Sequence, residues 1–135
     1  MKKISIVLFI AVTAFAFTNQ QPDMKASMQR GKKVYETHCL SCHQPDGKGL
    51  PRMNPPLVKT KQVLGNKTQL INIILNGLDE ELVINGETYF NPMPSQPYLK
   101  DQEIADVLTY VRNSFGNKAS LVTTAEVKAA RAKIK

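Results

Sequence analysis

Both cysteines of the chain, and one of its two histidines, fall within five consecutive residues, Cys39-Leu40-Ser41-Cys42-His43. No other feature restricts the fold as much. A C-x-x-C pair alone is open to three readings: a thiol–disulfide catalyst, half of a zinc site, or covalent haem attachment. A zinc centre needs four ligands spread around the ion, and His38, Cys39, Cys42 and His43 are packed too tightly along the chain to surround one. A thioredoxin-like catalyst needs a βαβ sheet, for which the sequence has no pattern. Histidine directly after the second cysteine suits the third reading. Each thiol adds to one porphyrin vinyl group, and the adjacent imidazole is held where its nitrogen binds the iron. One haem c, attached through Cys39 and Cys42, is therefore expected, with His43 as proximal iron ligand. The other ring nitrogen of His43 should donate to a backbone carbonyl, fixing the tautomer and ring plane. His38 reads as a surface or packing residue.

With no further histidine, the sixth position falls to methionine, lysine, tyrosine, water or nothing. Met24 and Met28 fit the buried stripe of a helix, the usual fate of such residues. Met53 follows His43 too soon for the chain to pass around to the other haem face. Met93 is far along the chain and clamped between Pro92 and Pro94. A stiff loop suits a weak thioether ligand, because little ordering entropy is lost when the bond forms. Met93 is the expected distal ligand, with Met53 second.

The start, Met1-Lys2-Lys3, is basic and leads into an apolar run from Ile4 to Phe17, too short for a comfortable membrane span. Ala14-Phe15-Ala16 offers small residues where a signal peptidase reads, so residues 1–16 are expected to be a secretory signal and the protein periplasmic or otherwise exported. Haem attachment outside the cytoplasm agrees with this. The alternative is an uncleaved anchor, which with a membrane partner is the route to membrane contact. An exported context also allows a Cys39–Cys42 disulfide. The formal charge of +7 suits an acidic protein partner or anionic lipid. Nucleic acid is not expected, since the basic residues are scattered and aromatics for base stacking are few.

Residues 17–23 read as a polar linker. A helix follows with Asp23 as N-cap and Met24, Met28, Gly31 and Tyr35 on one stripe. Gly31 inside a helix costs about 1 kcal/mol relative to alanine, so close approach by another element is expected there. From Gln44 to Asn66, Pro45, Gly47, Gly49, Pro51, Pro55, Pro56 and Gly65 break any long regular element. A second helix is predicted over Lys67 to Asn76, capped by Asn66 and stopped by Gly77, with Leu70, Ile71, Ile74 and Leu75 buried. Val83 to Tyr89 reads as a hairpin about Asn85-Gly86. The clearest helix runs from Asp101 to Phe115, with Ile104, Val107, Leu108, Val111 and Phe115 on one face and Gly116 at its end. A tail helix is expected to begin at Thr123, where Glu126 completes a capping box. The fold class is therefore all-α: helices packed around one covalently bound haem, with long loops and a small β-hairpin. So small a chain has a thin core that a large apolar cofactor would fill.

The chain resembles the single-haem cytochromes c of the mitochondrial and bacterial periplasmic type. The resemblance rests on Gly31-x-x-Val34-Tyr35, C-x-x-C-H at 39–43, Asp46-Gly47-x-Gly49, Pro55-Pro56-Leu57 and Met93 in its proline-flanked loop, in that order. The last long helix, Glu103 to Arg112, is similar to the family's C-terminal helix. The match spans residues 24–117 and leaves 118–135 as a basic extension. It implies a crossing of first and last helices with Gly31 near Leu108 or Tyr110, a Pro55 carbonyl that accepts from His43, and Leu57 packed on the haem. The stretch from Tyr110 to Asn117 is similar to cytochrome subunits that accompany periplasmic sugar and alcohol dehydrogenases. In one departure, Lys100 stands where relatives often have a Ser or Thr cap, so Asp101 is expected to cap. Arg52 and Tyr89 are candidates for binding the haem propionates.

The resemblance and the ligand set together imply an electron carrier, not an enzyme, cycling one haem iron between Fe(II) and Fe(III). Thioether ligation favours Fe(II) and raises the potential. Redox proteins are the implied partners, a periplasmic dehydrogenase or a terminal oxidase, with Lys32, Lys33 and Lys48 as candidate steering charges. The alternative is a haem enzyme or gas-binding sensor with an open sixth site.

Overall fold

The computed structural model describes residues 23–134; the expected leader and most of the linker lie outside them. The chain forms helices α1 (Met24–His38), α2 (Leu40–His43), α3 (Lys61–Leu64) and α4 (Lys67–Asn76), strands β1 (Leu82–Ile84) and β2 (Glu87–Tyr89), then helices α5 (Asp101–Asn113) and α6 (Thr124–Arg131). The all-α class with one small hairpin is borne out. In the hairpin, Leu82 faces Tyr89, Val83 faces Thr88 and Ile84 faces Glu87, antiparallel. Asn85 and Gly86 both take positive φ, 52° and 83°, as a tight two-residue turn with the right twist requires.

Asp23 caps α1, its carboxylate accepting from Lys25 N at 2.9 Å. The buried stripe of α1 is Ser27, Gly31 and Tyr35. Met24 and Met28 are only half-buried, because the face that meets α5 is turned by one residue towards Ser27. At Gly31 the two helices touch backbone to backbone. A Cβ there would lie 2.0 Å from Asp106 O and 2.8 Å from Tyr110 Cβ. Tyr110 thus flanks the crossing as expected, whereas Leu108 points into the cavity described below.

Asp106 secures this crossing. Its buried carboxylate accepts from Ser27 Oγ at 2.6 Å, Arg30 Nε at 2.6 Å, Arg30 Nη2 at 2.8 Å and Gln102 Nε2 at 3.0 Å. Burial alone would push this carboxyl up, but the hydrogen bonds from Arg30, Ser27 and Gln102 outweigh burial and hold it below the usual carboxylate range. A depressed carboxyl contributes stability above its unfolded value, near pH 4, and loses it as pH falls through the folded value. Asp106→Asn is expected to destabilise the protein by about 2 kcal/mol at neutral pH. Chemical unfolding followed from neutral to acid pH should show that difference shrinking below about pH 4.

Asn66 Oδ1 accepts from Gln69 N at 3.1 Å and Gly77 closes α4, as predicted, with Leu70, Ile71, Ile74 and Leu75 buried. The cap of α5 differs from expectation. Lys100 occupies the N-cap in an extended conformation, and the Glu103 carboxylate accepts from Lys100 N at 2.8 Å. This reach-back supplies the polar cap, so Asp101 becomes the first helical residue and pairs with Arg131 at 2.7 Å. The helix also ends at Asn113, before Phe115, which turns back with φ 57°. In α6 the box of Thr123 and Glu126 forms in both directions, at 3.1 and 2.7 Å. Val122, Val127 and Ala130 join the core beside α4 and α5.

Candidate functional site

Cys39, Cys42, His43, Pro55, Leu57 and Met93 all line one cavity, which encloses about 1040 Å³ including its open mouth. Its wall is overwhelmingly apolar, completed by α4, α5 and the inner face of the hairpin. Met53 is not on this wall and is 50 % exposed; Met24 and Met28 are not on it either. Only Met93 among the described methionines reaches the cavity.

The approach to the cysteines is set by an aromatic cluster behind them. The Tyr35 ring packs at 5.4 Å from Tyr110 and 5.5 Å from Phe115. Its hydroxyl donates to Gln44 O at 2.6 Å, tying the residue after His43 to α1. Cys39 and Cys42 are not joined in a disulfide. Burial, reinforced by neighbouring Cys42, pushes the Cys39 thiol up to about 11. A disulfide catalyst needs the opposite, a thiolate poised near neutral pH.

His43 Nδ1 lies 3.2 Å from Pro55 O. A carbonyl only accepts, so the proton sits on Nδ1 and Nε2 keeps its lone pair. Burial lowers the His43 imidazole below its ordinary range, and the Pro55 contact offsets this only in part. The ring is thus neutral, as a metal ligand must be. The loop that brings Pro55 here folds tightly at Gly49, whose φ is 66°. A Cβ at Gly49 would fall 2.2 Å from Asn54 O and 2.7 Å from Pro55 O.

Met93 is anchored by its backbone. Its N–H donates to Leu78 O at 2.8 Å and its carbonyl accepts from Leu78 N at 2.9 Å, so the loop is pinned just past the end of α4. Tyr89 lines the cavity, donating to Glu87 Oε2 at 3.1 Å, whereas Arg52 does not reach it.

Two supporting residues escape a reading of the sequence. Buried Asn117 donates to Leu57 O at 2.9 Å and Val111 O at 2.8 Å and accepts from Lys59 N at 2.7 Å, fixing the Leu57 loop to the end of α5. Buried Arg112 donates to Val63 O at 2.6 Å, Gly65 O at 3.3 Å and Ser120 O at 3.1 Å, holding α3 against the cavity. An asparagine just past a glycine that follows a helix is a weak sign for the first; nothing local marks the second.

A neutral imidazole and a thioether on one apolar wall, with two cysteines outside any disulfide on the same wall, is a donor set that fits haem c. No cluster of three or more His, Cys, Asp or Glu among the described residues could hold a bare metal ion. Residues 28–115 match the sequence pattern of the family described as Cytochrome c. The chain belongs to the cytochrome c family. It is 36% identical over 112 residues to cytochrome c-552 of Thermus thermophilus, covering 76% of this chain and 85% of that protein. It is 32% identical over 108 residues to cytochrome c6 of Cyanidium caldarium, covering 79% and 90%. The cytochrome c subunit of a quinone alcohol dehydrogenase from Gluconacetobacter polyoxogenes is 37% identical over 103 residues, 72% of this chain but 21% of that subunit. Cytochromes c bind haem c covalently and transfer electrons, and the chain shares that cofactor and that role.

Proposed function

We propose that this cytochrome c is an exported single-electron carrier whose haem is held through Cys39 and Cys42 and ligated by His43 and Met93. The observation that carries the reading is the placement of His43 and Met93 on the wall of one apolar cavity, each fixed through a backbone hydrogen bond. When bound, haem c supplies an iron that gains or loses one electron between Fe(II) and Fe(III). His43 presents its lone pair from a ring whose tautomer Pro55 sets. Met93 presents a thioether from a loop pinned at Leu78, so neither ligand has to reorganise as the charge changes. Leu57, Pro55 and the α5 face exclude water, which favours the less charged state. Pinning at Leu78 favours Met93 over an open sixth site.

Export is supported by the apolar leader in residues 4–17. Partners are redox proteins of that compartment, a dehydrogenase that hands in electrons or a terminal oxidase that takes them; the dehydrogenase subunits among the relatives support the former. Covalent attachment is tested by acid–organic extraction of haem from denatured protein. Wild type should retain all its haem with no free thiol, whereas Cys39→Ala with Cys42→Ala should release all of it. Extractable haem and two titratable thiols in the wild type would defeat the attachment assignment.

A further inference from the structure

The wall of the cavity is exposed only along one rim, at Cys42, Glu80, Asn91, Pro92 and Pro94. Glu80 is the charged member of that rim, and it stands between exposed Asp79 and Glu81. None of these carboxylates is in an ion pair among the described residues. From Thr68 to Leu99 the sequence contains no lysine or arginine, in a chain of formal charge +7. The lysines expected to steer a partner lie elsewhere. Lys32, Lys33 and Lys48 are all absent from the cavity wall, and Lys32 and Lys48 are engaged with Glu36 at 3.7 Å and Asp46 at 3.4 Å.

Beside the rim, the hairpin turns Ile84 and Tyr89 inward to the cavity. Side chains alternate along a strand, so Val83 and its partner Thr88 face outward and Phe90 continues their row. Val83 is 60 % exposed and Phe90 58 %. Met53, 50 % exposed, adjoins them, since Phe90 N and Asn91 N donate to Arg52 O and Met53 O, each at 3.2 Å. Arg52 borders this patch as its basic neighbour. An exposed apolar row that follows directly in the chain on a run of unpaired carboxylates has the composition of a recognition surface.

We propose that the exposed rim at Glu80, with Asp79 and Glu81 on either side in the chain and the outward row of Val83 and Phe90 beyond, docks a redox protein that presents basic residues around an apolar centre, electrons crossing at the rim itself. This rests on the carrier reading above and gives its partner the opposite sign from the one the chain's net charge suggests. In the oxidising direction one electron leaves the iron here, Fe(II) becoming Fe(III), and reduces the partner's centre by one. Charges farther than about 8 Å from an encounter are screened at physiological salt, so the local carboxylates decide the sign of steering.

The test is the oxidation rate of the reduced holoprotein by tris(phenanthroline)cobalt(III), a cation, and by hexacyanoferrate(III), an anion, across ionic strength. The cobalt rate should fall by roughly threefold or more from low to physiological salt, and the hexacyanoferrate rate should not fall. Glu81→Lys should slow the cobalt reaction several-fold at low salt, while the charge-matched Glu36→Lys, on the exposed face of α1, should change it little. Poly-L-lysine should slow the cobalt reaction and poly-L-glutamate should not. A cobalt rate that rises with salt, or equal effects of the two substitutions, would show that net charge alone governs encounter and overturn the docking face. Failure of both oxidants to re-oxidise the haem would overturn the carrier reading itself.

Discussion

Gly31→Ala is expected to destabilise the holoprotein by about 3 kcal/mol, a drop in Tm on the order of 10 °C. In an isolated helix the same change would stabilise by about 1 kcal/mol, so propensity and packing predict opposite signs. Packing should prevail because the added Cβ would meet the Asp106 carbonyl at 2.0 Å, and backbone has no rotamer through which to give way. Relief would require α1 and α5 to separate, which breaks the Ser27 and Arg30 hydrogen bonds to Asp106 and carries Cys39, at the end of α1, away from the cavity. Thermal unfolding by circular dichroism decides between them. A Tm at or above that of the wild type would mean that the crossing is not close enough to require glycine.

Met93→Ala should have the largest effect on the redox centre and little on the fold, since Met93 is held by its backbone and only half-buried. On the proposed ligation its loss removes the thioether that favours Fe(II), so the potential is expected to fall by on the order of 0.1 V. Met93→His should also lower the potential while keeping the iron six-coordinate. Met53→Ala should leave the potential unchanged, because that side chain lies outside the cavity. Redox titration of the three variants checks all of these. A shift with Met53→Ala and none with Met93→Ala would reverse the assignment.

The parts legible in the sequence are those fixed by local chemistry. Asn66 and Gly77 bound α4, Asn85-Gly86 turns the hairpin, and Thr123 with Glu126 starts α6, each through bonds within a few residues. The C-x-x-C-H motif at 39–43 is legible for the same reason, since its residues are contiguous in the chain. Features set by distant partners were not. The face of α1 is turned towards Ser27 because Asp106, on another helix, accepts from it. Asp101 lost its expected capping role because Glu103 reaches back to Lys100 and Arg131 engages Asp101 from α6. Asn117 and Arg112 serve carbonyls far away in the chain, Leu57 O and Val63 O among them. The sign of the docking face was hidden differently. Net charge averages over the chain, whereas the segment without lysine or arginine supplies Glu80, Asn91, Pro92 and Pro94, four of the exposed residues on the cavity wall.

Ligation of the iron by Met93 is the central claim, and the near-infrared absorption of the oxidised holoprotein tests it most directly. A sulfur-to-iron charge-transfer band should be present in the wild type with low-spin iron and vanish in Met93→Ala. High-spin iron without the band in the wild type, or a band that survives in Met93→Ala, would contradict it.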